Sequence, residues 1–273
     1  MSNKLILLVI ATLALCETTY AAKPQYIRAT QSDSVQVLFV GNSYTQRNNL
    51  PRLFQSLAES IGVKMAPSRA LKGGQTLKGH LQNNKLKTML AGGGFNYVVL
   101  QEASYRPSYP TRYVVDNVYP YAHSLDSLAK TGSPGVKVIY YMTWGHKNGL
   151  VHHKTDYPLD DTYEMMQNRL KTSYLEMTHE NNSWCAPVGI AWQRVRNERP
   201  DIDLYVADQH HPSVAGSYLA ANVILTTIIQ KSYESEFFHT LPEETARYLQ
   251  KVAQETVLDN LELIGIGTQQ DNP

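Results

Sequence analysis

The chain has 273 residues, of which 42% are hydrophobic and 18% charged, the balance of a globular chain long enough to bury one sizeable core. Its 25 basic and 24 acidic residues leave a formal charge of +1 and are spread along the sequence. That distribution argues against nucleic acid or any other polyanion as a partner.

At the N-terminus, Lys4 precedes the apolar run from Leu5 to Cys16, and small residues follow at Ala21 and Ala22. This is the pattern of a secretory signal peptide over residues 1–22. The run is shorter than the roughly 20 residues that span a bilayer, so the mature chain is expected to be soluble and exported, periplasmic or secreted, without stable membrane insertion. A lipid anchor on Cys16 is disfavoured by the bulky Leu15 before it. Once the leader is removed, Cys185 is the only cysteine, which rules out an intramolecular disulfide. Its apolar neighbours suit a buried thiol.

Short apolar runs then alternate with helical patterns. Val35 to Val40, Tyr97 to Leu100, Val136 to Met142 and Leu204 to Val206 read as buried strands. Between the first two, Leu50, Leu53, Phe54, Leu57 and Ile61 share one helical face, with Pro51 in the first turn and Gly62 as a stop. Further helices are predicted over Tyr163 to Glu180, Ser213 to Lys231 and Glu243 to Leu261. No repeat or low-complexity linker interrupts the pattern, which predicts a single α/β domain over 33–262 followed by a flexible tail over 263–273.

In such sheets, ligands collect beyond the carboxyl ends of the strands. Gly41-Asn42-Ser43 stands at such an end, with Gly41 permitting a tight turn that offers Ser43 as a candidate nucleophile. A second segment, Asp208-Gln209-His210-His211-Pro212-Ser213, follows another apolar run. Asp208 and His211, three apart, are of the types that orient an imidazole and take a serine proton. Pro212 stiffens the loop, and Ser213 suits the N-cap of the next helix. His210 is the alternative base. A metal site on the adjacent histidines lacks any accompanying ligand spacing.

Together, Gly41-Asn42-Ser43 near the mature N-terminus and Asp208-x-x-His211-Pro212 near the C-terminus resemble the SGNH/GDSL hydrolase superfamily, over about Val35 to Lys231. The resemblance implies a flavodoxin-like three-layer α/β/α fold with a central parallel sheet of about five strands. It implies ester hydrolysis through a triad, with Ser43 as nucleophile and first oxyanion donor, His211 as base and Asp208 as its orienting acid. Lys72-Gly73-Gly74-Gln75 matches the family's glycine block, so the amide of Gly73 or Gly74, the latter favoured, would join the oxyanion hole. Two positions depart from the family. Asn42 replaces the usual aspartate, and the Gly-x-Asn-Asp block is replaced by Gln101-Glu102-Ala103-Ser104, where the Gln101 carboxamide can donate as an asparagine would. A secreted bacterial branch shows GNSYT, GG and LQE together, and this chain is most similar to that branch.

Three roles suit Glu102: holding a substrate hydroxyl, orienting Gln101 or pairing with Arg106, with structural support foremost. Tyr105, Tyr109, Tyr113 and the segment Thr143-Trp144-Gly145-His146-Lys147-Asn148 place aromatic and polar groups after the middle strands. Flat rings suit sugars, and Trp144 directly follows a strand, which predicts a stacking role in the pocket. Asn42, Glu102, Tyr105, Trp144 and His210 are the candidate substrate contacts. His146, His152 and His153 read as solvated loop histidines, and no metal or cofactor is implied. The expected activity is that of an exported serine esterase removing small acyl groups such as acetyl from a carbohydrate. A lipase or thioesterase-like acyl hydrolase and a non-catalytic glycan-binding protein are the alternatives.

Overall fold

Strands that are apolar on both sides need cover on both faces of their sheet, and β1 (Val35–Gly41) and β3 (Tyr97–Leu100) meet that need, the latter buried at every residue. The structure is a computed structural model that describes residues 34–150 and 162–267. The expected signal peptide, His152 and His153 lie outside the described residues. The described strands form one five-stranded parallel sheet in the order β2-β1-β3-β4-β5, with β2 at Met65–Leu71, β4 at Lys137–Tyr141 and β5 at Trp184–Ala186. Helices flank it, giving the α/β SGNH hydrolase architecture that the resemblance implied.

Short α1 (Ser43–Gln46) and α2 (Leu50–Ser60) follow β1; α3 (Leu77–Leu81) and α4 (Asn84–Gly92) follow β2; α5 (Thr111–Asn117) and α6 (Tyr119–Gly132) follow β3. Then come α7 (Tyr163–Glu180), α8 (Val188–Glu198), α9 (Val214–Ile229) and α10 (Glu243–Leu258). α2, α8 and α10 gather around α9, while α3, α4 and α5 pack on α6, and α7 lies against β4 and β5. Leu50, Leu53, Phe54 and Leu57 of α2 are buried as their spacing predicts. α9 is buried from Ala215 to Ile228, almost all round. No helix among the described residues is long and apolar enough to cross a membrane.

The chain leaves β1 for β2 on one side, and β3 then pairs with β1 on the other. Loops leaving the carboxyl ends of β1 and β3 therefore diverge and open a crevice at the point where the winding reverses. Val40 pairs with Leu100, and Leu100 with Tyr140, so residues 41 to 43, 101 to 105 and 142 to 146 emerge at one edge.

Three readings of the sequence need correction. The edge strands β2 and β5 escaped it: β2 carries Pro67, Ser68 and Arg69, which an edge tolerates, and β5 is three residues long. Leu204 to Val206, expected as a strand, is a loop closed by one antiparallel bridge between Tyr205 and Pro212. Leu204 and Tyr205 are buried under the loop rather than within the sheet, and Val206 is half-buried. Residues 263 to 267, expected within a flexible tail, pack instead: Ile264 is fully buried, and its carbonyl accepts the Cys185 N–H at 3.0 Å, covering the free edge of β5.

The loop 203–213 rests on the start of α9, where Gly216 admits it. A β-carbon there would lie 2.4 Å from the Leu204 carbonyl oxygen and 2.5 Å from the Trp192 ring. Gly216→Ala should cost about 1–3 kcal/mol through overpacking. At about 2–4 °C per kcal/mol for a domain of this size, thermal unfolding should show a drop of several degrees.

Candidate active site

Asn42 follows β1 and is the N-cap of α1. Its Oδ1 accepts the Tyr44 N–H at 3.1 Å, capping the short helix, and its Nδ2 donates to the Gln75 carbonyl at 3.0 Å. The residue standing where the family usually has aspartate thus ties the serine turn to the glycine turn, which needs a donor that a carboxylate lacks. Gly41 is required for close approach, since a β-carbon would meet Gln101 Oε1 at 2.7 Å and Thr45 Oγ1 at 2.8 Å. Its carbonyl accepts from His80 Nε2 at 2.9 Å. Burial pushes the His80 imidazole below its ordinary value, so it stays neutral with the proton on the nitrogen that serves Gly41.

Ser43, half-buried, projects from this turn. His211 Nε2 lies 2.8 Å from Ser43 Oγ, and His211 Nδ1 lies 2.8 Å from Asp208 Oδ2. Asp208 Oδ1 accepts the backbone N–H groups of His211 at 2.9 Å and His210 at 3.1 Å. Partial burial raises the Asp208 carboxyl, but those two N–H groups and the His211 imidazole outweigh it and hold the group well below the usual carboxylate range. An ionised carboxylate only accepts, so Nδ1 carries the proton, Nε2 is a bare acceptor and the Ser43 hydroxyl donates to it. A hydroxyl, an imidazole and a carboxylate linked in this order can transfer the hydroxyl proton during attack on a carbonyl.

Two braces hold His211 opposite Ser43. The loop closes on itself through Val206 N to His211 O at 3.0 Å and Ser213 N to Leu204 O at 2.9 Å, and Ser213 Oγ caps α9 by accepting from Gly216 N at 3.1 Å. From the serine side, Asn48 Nδ2 donates to Ser213 O at 2.9 Å and Ser217 Oγ at 2.8 Å. Asn48 escaped the reading of the sequence; its left-handed φ of 51° is a conformation asparagine tolerates but one a sequence does not display.

Trp144 is fully buried and is not among the residues that line the cavity over Ser43. It stacks on Trp192 at 3.7 Å and on Tyr44 at 4.8 Å, and its Nε1 donates to the His210 carbonyl at 3.1 Å. The expected sugar-stacking ring is instead the wall that supports the Asp208–His211 loop. Tyr44, which the sequence reading passed over, lines the cavity beside Ser43, with its ring 5.2 Å from that of His211.

The amide of Gln101 also departs from expectation. The side chain is fully buried; Oε1 accepts from Asn42 N at 3.0 Å and Thr45 Oγ1 at 2.9 Å, and Nε2 donates to the Glu102 carbonyl. Flipping the amide would set two donors, Nε2 and Asn42 N–H, against each other, so the orientation follows from the partners. Gln101 is a clamp behind the serine turn and presents no N–H to the crevice. Glu102 is buried too, accepting from Leu77 N at 3.2 Å and Ala103 N at 2.5 Å, so it touches no substrate space, and it makes no ion pair with Arg106 among the described residues. The glycine turn closes by Gln75 N to Lys72 O at 3.1 Å, with Gly74 at a φ of 67°.

Solved structures share this arrangement of strands and helices. A protein described as a candidate SGNH hydrolase from Slackia heliotrinireducens is 27% identical, with a TM-score of 0.58, over 71% of this chain and 99% of its own. The chain belongs to the SGNH/GDSL hydrolase superfamily. A DUF4886 family protein from Bacteroides uniformis superposes with a TM-score of 0.67 at 17% identity, covering 82% of this chain and 95% of that one. The lipase/acylhydrolase from Enterococcus faecalis does so with a TM-score of 0.52 at 14% identity, covering 74% and 100%. No family model and no curated protein matches the chain.

In this SGNH hydrolase, a cavity of about 710 Å³ opens over Ser43. Gly74 lines it and Gly73 does not. Asn42, Tyr105 and His210 also line it, as do Ala103, Ser104, His146, Asn148 and Leu150. His146, expected in solvent, is half-buried with its ring 5.0 Å from that of His210. Among the described residues, Asp208, His210 and His211 bring metal-ligand atoms within 4.8 Å of one another, but the carboxylate oxygens already accept three N–H groups and both His211 nitrogens are engaged. Cys185 is fully buried, and burial pushes its thiol up to about 12, which makes it a poor nucleophile.

The clamp and the oxyanion role predict different things for Gln101→Ala. Removing a clamp strands the buried Asn42 N–H at a cost of about 1–3 kcal/mol, so the melting temperature should fall together with ester turnover. Loss of an oxyanion donor alone would slow turnover about 10²–10³-fold and leave the melting curve in place. Thermal unfolding of Gln101→Ala beside Ser43→Ala, which should keep its stability, separates the two.

Proposed function

We propose that this SGNH hydrolase is an exported serine esterase that removes small acyl groups, acetyl foremost, from a carbohydrate. The observation that carries the proposal is the unbroken chain from Ser43 Oγ through His211 to Asp208, with both links at 2.8 Å, at the wall of the 710 Å³ cavity. Ser43 Oγ attacks the ester carbonyl carbon as its proton passes to His211 Nε2. The N–H groups of Ser43, at the start of α1, and of Gly74 receive the developing oxyanion. His211 then protonates the leaving sugar oxygen, the carbon–oxygen bond breaks, and an acyl-Ser43 intermediate remains. Water repeats the sequence and releases the acid. Asp208, held ionised, keeps His211 in the required tautomer throughout.

The lining supports a polar leaving group. Tyr105, His146, Asn148, Gln209 and His210 bring rings and hydrogen-bonding groups to the cavity, while Ala103 and Leu150 add apolar surface. Export rests on the leader pattern of Lys4, the run from Leu5 to Cys16 and the alanines at 21 and 22.

A panel of acetylated oligosaccharides, read out as released acetate, tests the proposal against long-chain acyl esters. The wild type should release acetate and favour the acetyl substrates. Ser43→Ala and His211→Ala should each fall by about a thousandfold or more. Acetate release that survives in Ser43→Ala, or a preference for long acyl chains, would contradict it.

A further inference from the structure

Three buried carboxyl or imidazole side chains of the described residues lie near the sheet without a part in the proton chain, and two have evident partners. Asp126 is paired with Lys130 at 2.7 Å, and His80 serves the Gly41 carbonyl. Glu102, 1% exposed, has no cation paired with it among the described residues. Arg106 acts on it only through its charge, being turned to the Asn117 carbonyl at 3.4 Å and the Tyr113 ring at 5.4 Å. The other ionisable group facing it is the Tyr174 hydroxyl of α7, which burial keeps protonated.

The carboxylate receives backbone instead. Leu77, whose N–H reaches Oε2, is the first residue of α3, just beyond the turn that carries Gly74. Ala103, whose N–H reaches Oε1, begins the segment that lines the cavity with Ser104 and Tyr105. The carbonyl of Glu102 holds the Gln101 amide, which grips the serine turn. Residues 101 and 102, at the end of β3, therefore join three of the segments around the crevice: the serine turn, the glycine turn and residues 103–105. We propose that Glu102 is a positioning residue: its carboxylate fixes the Gly74 turn and the 103–105 segment in register with Ser43. The inference rests on the esterase reading of the site.

Protonation interferes with that hold, because a carboxylic acid carries a hydrogen that must turn away from one of the two N–H donors. Burial pushes Glu102 up to about 7 from its ordinary 4.5, against the opposing pull of the Ala103 N–H, the Arg106 charge and the Leu77 N–H. The hold therefore tightens as pH rises through neutrality. The sign for stability is the reverse: with the folded value raised, Glu102 favours the fold fully below about 4.5, and that contribution is lost as pH rises through about 7.

Fluorophosphonate labelling of Ser43 from pH 5.5 to 8.5, in the wild type and Glu102→Gln, tests the proposal. The neutral glutamine mimics the protonated acid, and the ratio of the two rates cancels every other titration. The ratio should climb from near one at the acid end to about tenfold or more at the alkaline end, the scale of a small misplacement of catalytic groups. A ratio that stays constant across this range overturns the proposal while leaving the esterase reading intact. If Glu102→Gln does not fold, hydrogen exchange of the Leu77 amide in the wild type, corrected for its intrinsic rate, replaces it: protection should rise through neutrality, and unchanging protection refutes the role. The same exchange measurement decides the matter if Ser43 fails to label in either protein, the result that would instead remove the esterase reading.

Discussion

The contact on which the site depends is the buried Gln101 carboxamide between the ends of β3 and β1. A strand that stops beside its neighbour leaves the first N–H of the departing turn without a partner, and a buried donor so abandoned is costly. Gln101 Oε1 satisfies Asn42 N–H and Thr45 Oγ1 together, and Gly41 provides the room for it. Asn42 is then free to use its own side chain for Tyr44 N–H and the Gln75 carbonyl. From one amide, the orientation of Ser43 and the placement of the glycine turn both follow.

The opposite wall is built by different physics. The loop that offers His211 carries little secondary structure, and its support is a stack of flat rings: Trp192, Trp144 and Tyr44, with Tyr205 donating to the Gly145 carbonyl at 2.8 Å. The polar clamp on one side and the aromatic stack on the other meet at Tyr44, the residue after Ser43. A change in either wall therefore reaches the distance between Ser43 and His211. Such preorganisation by packed and hydrogen-bonded support is what a catalytic geometry requires.

Much of this was legible in the residues themselves. β1, β3, α2 and α7 carry strong periodic signals, and the Asp208 and His211 pair announces its chemistry through residue type and spacing. What stayed hidden depended on partners remote in sequence. A glutamine at a strand end can point its amide to a crevice or to a neighbouring turn, and the buried Asn42 N–H, which Gln101 satisfies, decides between them. Trp144 reads equally as a platform or a wall until Trp192 and Tyr44 are seen to sandwich it. β2 and β5 escaped notice because edge strands need neither length nor apolar alternation, and their pairing comes from β1 and β4.

Within the superfamily, the departures at Asn42 and Gln101 belong together, since each side chain completes the hydrogen bonds of the same turn. The central claim is that backbone amides, those of Ser43 and Gly74, form the oxyanion site while Gln101 stands behind it. A crystal structure of the fluorophosphonate adduct measures this directly. The phosphonyl oxygen should lie within hydrogen-bond distance, about 2.7–3.1 Å, of both amide nitrogens, with the Gln101 side chain still on Asn42. An oxygen directed instead at Gln101 Nε2, or an adduct on a residue other than Ser43, would contradict the account.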